Sequence, residues 1–265
     1  MGFLGAGIAS TAAFRLGRIL FGAAVLGSGL LQLGTGAGVR IVQAPPTPIP
    51  TQAAWPYLGG VILVGAGLAI LACRAARLAA TVVGLMLLLV VLPSYVPSFV
   101  ANPVVDRPFF RGFMWTNPCK IMALVGGAAM LADRLPGEAR HSLVRGFARL
   151  ASAAAAFLAL FLVVCGVQHF IYAEFVAKLV PSWIPPQMFW TYFTGTALMA
   201  GGVGILFPPT ARLAAAMSAL MIVLWVLVLH IPRAITLSEH AFETAGAFEA
   251  LALSGVALIV ASTRD

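Results

Sequence analysis

Eight continuous apolar stretches of roughly 17–23 residues, the length a helix needs to cross a ~30 Å hydrocarbon core, divide this sequence. Backbone polar groups cannot be left unsatisfied in lipid, so such stretches fold as helices or as strands of a closed barrel. Barrel strands would be short and would alternate apolar with polar residues; these do neither. The expected fold is therefore all-α, a polytopic membrane helical bundle of about eight transmembrane helices, with spans at about 16–36, 55–73, 76–97, 117–133, 149–171, 188–207, 210–231 and 245–262. Composition agrees, with 61% hydrophobic and 9% charged residues and a mean hydropathy of +1.01.

Charges punctuate the spans. Arg15, Arg18, Arg74, Arg77, Arg134, Arg140, Arg145, Arg149, Arg212 and Arg264 fall on one side, and Arg40, Arg107, Arg111, Lys120, Lys178 and Arg233 on the other. The positive-inside rule then predicts that both termini are cytoplasmic. The net charge of +8 is spread over many loops; it suits contact with anionic membrane lipids and forms no nucleic-acid patch.

Sliding the chain by 135 places Pro46 on Pro181, Ile49 on Ile184, Pro50 on Pro185, Trp55 on Trp190 and Tyr57 on Tyr192, and the match continues through Gly60/Gly195, Gly67/Gly202, Arg77/Arg212, Met86/Met221 and Pro97/Pro232. About two in five pairs are identical without a gap, more than shared apolar composition gives. A slightly different offset brings Ser28-Gly29 onto Cys165-Gly166, so the first span, with Arg15 and Arg18 ahead of it, reads as part of the fold and not as a signal peptide. A repeat with an even number of spans keeps its orientation, which predicts two parallel four-helix repeats. They occupy 1–133 and 149–265, joined by a cytoplasmic linker at 134–148 that carries a Pro136-Gly137 turn. Gly59-Gly60, Gly65, Gly67, Gly126-Gly127 and Gly201-Gly202 are expected to let helices pack closely.

The run from Val180 through Pro181-Ser182-Trp183-Ile184-Pro185 into Phe189-Trp190-Thr191-Tyr192-Phe193-Thr194-Gly195, followed by Ala211-Arg212-Leu213-Ala214, resembles the DoxX-like integral membrane proteins. The stretch from Lys120 to Met130 is similar to the last helix of that family, although Glu249 stands where the second half would repeat the lysine. The resemblance implies a four-helix unit of the bacterial inner membrane, here in tandem, related to subunits of quinone-linked respiratory enzymes.

Ionisable groups are costly within a bilayer and mark sites by default. Polar residues gather at the outer ends of the spans, as Gln32, Lys120, His169, His230, His240, Glu243 and Glu249, and the repeat pairs Gln32 with His169, Tyr95 with His230 and Lys120 with Glu249. His169, His230 and Glu249 form the candidate proton or quinone site, because imidazole titrates near neutrality and a desolvated carboxylate rises toward it. The competing readings are a metal site, or a structural network in which Glu249 pairs with Lys120. The sequence leads to no expected metal, with a quinone as the cofactor considered. Trp190, Tyr192 and Trp183 form a candidate aromatic pocket, against a plain interfacial belt. The proline clusters Pro45-Pro46, Pro48, Pro50 and Pro181, Pro185-Pro186 suit stiff loops over the outer face.

Cys73, Cys119 and Cys165 are isolated, which argues against thiol-disulfide exchange. No phosphate-binding loop, zinc-protease motif or hydrolase elbow occurs. Three function classes follow: an accessory subunit of a quinone-linked membrane redox system, a non-enzymatic scaffold for other membrane subunits, and a small-molecule carrier. The carrier is disfavoured by spans expected to lack internal prolines and central charges.

Overall fold

A computed structural model of the chain describes residues 2–36, 54–95, 113–136, 142–236 and 240–263. Among the described residues eight helical rods carry the fold: α1 (Gly2–Thr35), α2 (Trp55–Leu71), α3 (Ala76–Met86), α4 (Phe113–Arg134), α5 (Ser142–Ile171), α6 (Gln187–Leu206), α7 (Pro208–Thr236) and α8 (His240–Ala261). A short helix, Ala173–Ala177, follows α5. Four segments, Ser10–Thr35, Ser142–Ile171, Pro208–Thr236 and Ala241–Ala261, are long and apolar enough to cross a membrane. Leu58, Val61, Leu89, Val203, Leu213 and Leu227 are exposed on the bundle surface, an apolar coat suited to hydrocarbon and unfavourable in water.

The rods form a closed ring with a spine. Neighbours in sequence pack on one another from α1 to α8, α8 returns to α1, and α4 meets α8 across the middle. Burial is deepest there: Ala123 through Ala132 of α4 are all buried. Small residues set the separations. A Cβ on Gly29 of α1 would stand 2.7 Å from the Val64 nitrogen and 2.8 Å from the Gly60 oxygen of α2, and one on Gly166 of α5 would stand 2.7 Å from the Gly195 oxygen of α6. Gly17 of α1 lies against Gly255 of α8, Gly126 of α4 against Ala154 of α5, and Gly127 of α4 against Val256 of α8. Such approach lets dispersion hold helices together where lipid supplies no hydrophobic drive. Gly65 departs from this pattern: a Cβ there meets nothing within 4 Å.

Helix ends follow local chemistry. Pro56 opens α2, and Pro208-Pro209 open α7 after the single extended residue Phe207, positions where a missing N–H costs nothing. The turn from α2 to α3 places Cys73 and Ala75 at φ 54° and 50°, a left-handed conformation unfavourable to any residue with a Cβ.

Three departures from the sequence reading concern continuity. Pro118 lies inside α4, and it removes the amide that would bond one turn back. α3 continues into a π-helical segment at Leu87–Val91 and a 3-10 turn at Leu92–Tyr95, and α7 contains a π segment at Val226–His230. The predicted linker at 134–148 is partly helical, because α5 begins at Ser142 and buries Val144, Phe147 and Ala148; the i, i+3, i+4 spacing of those three gives them one face, and Phe147 packs on Gly84 of α3.

Candidate functional site

At the end of the bundle where Glu249 lies, the polar residues are held by named partners. Glu249 is 4% exposed, and its Oε2 accepts from the Lys120 ammonium, so the pair bridges α4 and α8 at the centre of the fold. Two ions taken out of water are stable only when paired in this way. The Gln32 amide donates from Nε2 to the Pro56 carbonyl at 2.8 Å, and the Thr116 hydroxyl donates to Oε1 of Gln168. Further out, Arg233 makes a two-pronged pair with Glu243 at 3.0 and 2.8 Å, the fork geometry that suits guanidinium to carboxylate. The Ser28 hydroxyl, Oε1 of Gln32 and Oε1 of Glu249 are buried without a hydrogen-bond partner among the described residues.

The two histidines face different neighbours. His169 donates from Nδ1 to the Cys165 carbonyl one turn back at 2.8 Å, which fixes its tautomer, and its Cβ lies against Gly195 of α6. His230 instead faces Gly246 of α8, with its ring nitrogen 3.5 Å from where a Cβ would stand. Gly246 and Glu249 are one helical turn apart on α8. The carboxylate is thus joined to Lys120, His230 lies against α8, and His169 is turned toward α6. Among the described residues no three His, Cys, Asp or Glu side chains converge as a metal site. The side chains of His240, Tyr95 and Trp55, and the prolines at 45–50, lie outside the described residues.

The predicted aromatic trio divides. Trp183 is 67% exposed, and Tyr192 is 42% exposed and tilted against Phe170 at 5.3 Å between centroids. Trp190 alone turns inward. It packs edge-on to Phe189 and Phe193, at 5.4 and 5.8 Å, and lines an open groove of about 600 Å³ between α6 and α7. The physical reason is helical: positions 190 and 192 are about 200° apart around a helix axis, so they cannot share a wall.

The groove is apolar along its length. Ala197, Ala200 and Gly201 of α6 face Ala214 and Ser218 of α7, with Met221 and Trp225 on the α7 side. Small residues on both helices open the space and aromatic rings close its end. The indole Nε1 of Trp190 is buried and has no hydrogen-bond partner among the described residues. A buried donor in an apolar cleft is costly unless an acceptor meets it. Sequence reasoning missed Trp225 and Ser218 because it searched for titratable groups, and it read Gly201 as a packing residue alone; the available signal was the facing small residues, Ala197-Gly201 and Ala214-Ser218, each four apart.

A family profile described as a domain of unknown function (DUF8561) matches residues 158–264, which takes in the second half of α5 and all of α6, α7 and α8. No curated protein matches the chain, and no solved structure does.

Proposed function

We propose that this chain is a tandem, DoxX-like protein that crosses the bacterial inner membrane eight times with both termini cytoplasmic, and that it serves as an accessory subunit of a quinone-linked redox system. Several contacts support the duplicated architecture. The offsets that align the halves carry Gly29 onto Gly166, Gly60 onto Gly195 and Val64 onto Met199, and both sets make the same close contacts. They also carry the pair Gly17/Gly255 onto Ala154/Gly126. Lys120 aligns with Glu249 and Gly127 with Val256, and each touches its own counterpart, as a twofold between α4 and α8 requires.

The observation that carries the functional reading is the groove at Trp190. An apolar cleft on a lipid-facing surface, with one buried N–H lacking an acceptor, fits a lipophilic ring that bears a carbonyl. Trp190 would donate to that carbonyl, Phe193 and Trp225 would pack on the ring, and Ala197, Ala200, Gly201 and Ala214 would leave room for an isoprenoid tail. A bound quinone would supply two-electron, two-proton redox capacity. None of the side chains lining the groove titrates, so this chain's part is to hold and orient, and proton exchange falls to a partner subunit. At the first-half positions equivalent to Gly201, Ser218 and Trp225 stand Ala66, Val83 and Val90, which assigns the role to the second half.

The test is purification in mild detergent from native membranes, with mass spectrometry of extracted lipids and co-purifying subunits. Isoprenoid quinone retained by the wild type and several-fold depleted in Trp190→Phe supports the reading, and equal retention in both refutes it. The scaffold reading is favoured by one observation, that Lys120 and Glu249 are consumed in pairing with each other; partner subunits that co-purify without quinone would select it.

A further inference from the structure

At the opposite end of the bundle, arginines close the ends of neighbouring helices. Arg18 donates from Nη1 to the carbonyls of Ile70 and Leu71 at 2.6 and 2.8 Å, and Arg77 donates from Nε to the Ala132 carbonyl at 2.8 Å. Arg134 donates to the Ser262 hydroxyl at 2.7 Å, with its guanidinium 4.6 Å from the Phe14 ring centroid. These contacts satisfy or shield the negative ends of α2, α4 and α8.

Arg149 and Asp133 are different. Both are exposed, and neither forms an ion pair or side-chain hydrogen bond among the described residues. Yet both line one cleft of about 490 Å³, together with Arg134, Ser152 and Thr263 at its polar rim and Met130, Ala151 and Ala155 on its apolar wall. Opposite charges that share a cleft without pairing leave a space with a positive side and a negative side. Leu160 and Phe170, exposed further along α5, give that helix an apolar outer face, so the space at its arginine-bearing end lies at the polar edge of a bilayer, where the abundant molecule with a matching charge pair is a phospholipid.

We propose that this cleft holds the headgroup of a phospholipid of the ethanolamine class. Its phosphate lies between Arg134 and Arg149, since guanidinium groups bind phosphate oxygens in a fixed fork. Its ammonium donates to the Asp133 carboxylate, the Ser152 and Thr263 hydroxyls border the glycerol, and Met130, Ala151 and Ala155 receive the first methylenes. The site rests on the membrane placement of these helices and is independent of the groove at Trp190.

The experiment uses the full chain, delipidated in detergent, and reads its unfolding temperature with three additives: a short-chain phosphatidylethanolamine, the matching phosphatidylcholine, and inorganic phosphate. Phosphatidylethanolamine raises the temperature in the wild type, at concentrations about fivefold higher in Arg149→Gln, the loss of one arginine contact at a lipid headgroup. Phosphatidylcholine is weaker, and Asp133→Asn removes the difference between the two lipids. An equal response in wild type and Arg149→Gln overturns the site, and inorganic phosphate matching the lipid makes it a free-anion site only. Equal response of the wild type to both lipids overturns the role given to Asp133. Both side chains are exposed, so the variants are expected to fold, and a wild-type unfolding temperature without additive verifies it.

Discussion

Replacing Lys120 by methionine leaves the Glu249 carboxylate in a site that exposes only 6% of its side chain. Its Oε1 already lacks a hydrogen-bond partner among the described residues, so the change strips the second oxygen of the ammonium that donates to it. Removing one member of a buried pair costs about 3–5 kcal/mol, because the remaining charge keeps its desolvation penalty and loses its compensation. The double variant Lys120→Met/Glu249→Leu removes both charges, and apolar replacements of similar volume are often neutral to stabilising by ~1–4 kcal/mol. The expected coupling is therefore large: the second substitution restores most of what the first destroys. Reversible unfolding in mixed micelles, monitored by helical circular dichroism across the two single variants and the double, measures the cycle. A Lys120→Met variant less than about 1 kcal/mol below wild type, or a double variant as unstable as the sum of its singles, would refute the argument that the pair is held in a low-dielectric core.

Trp190→Phe keeps the ring but removes the buried donor, so it weakens retention of a carbonyl-bearing lipophile about three- to tenfold, the worth of one hydrogen bond, while stability is unchanged; equilibrium dialysis against a radiolabelled quinone analogue reads the difference. Gly29→Ala drives a methyl group into the backbone of α2, and since backbone cannot yield as a side-chain tip can, thermal unfolding should show a loss of about 1–3 kcal/mol. Gly65→Ala in the same helix pair meets open space, and the gain in helix propensity makes it neutral or stabilising by up to about 1 kcal/mol, so the two glycines give opposite signs in one assay. Ala75→Gly relieves a left-handed residue at φ 50° and should raise stability by about 1 kcal/mol, measured by chemical denaturation.

The rods were legible because their signal is local: a run of apolar residues between charges needs no tertiary information to read as a helix. The expectation of a repeat rests on a related signal, since Trp55 and Trp190 or Gly67 and Gly202 fall at one fixed spacing. Where α5 begins was not, because Arg145 and Arg149 mask the stripe of Val144, Phe147 and Ala148 that packs inward. The π segments left no mark in composition. The Lys120–Glu249 pairing was one of the three readings the residues allowed, and only packing chooses among them. The groove was invisible for a deeper reason: it arises where small side chains on two helices coincide in depth, and neither helix shows that alone. Trp190 could be singled out by its recurrence, whereas its companion Trp225 required the neighbouring helix to be in place.

The meeting of α4 and α8 bears on how such a chain assembles. On the tandem reading, two copies of the first half alone would bring ammonium against ammonium at the spine, and two copies of the second would bring carboxylate against carboxylate and valine against valine where glycine now yields. Each half is thus unsuited to a twin and matched to its sibling. On that same reading, fusion into one polypeptide supplies the sibling at one-to-one stoichiometry, and the asymmetry of charge at the axis frees the two halves to diverge, the second carrying the cleft at Trp190.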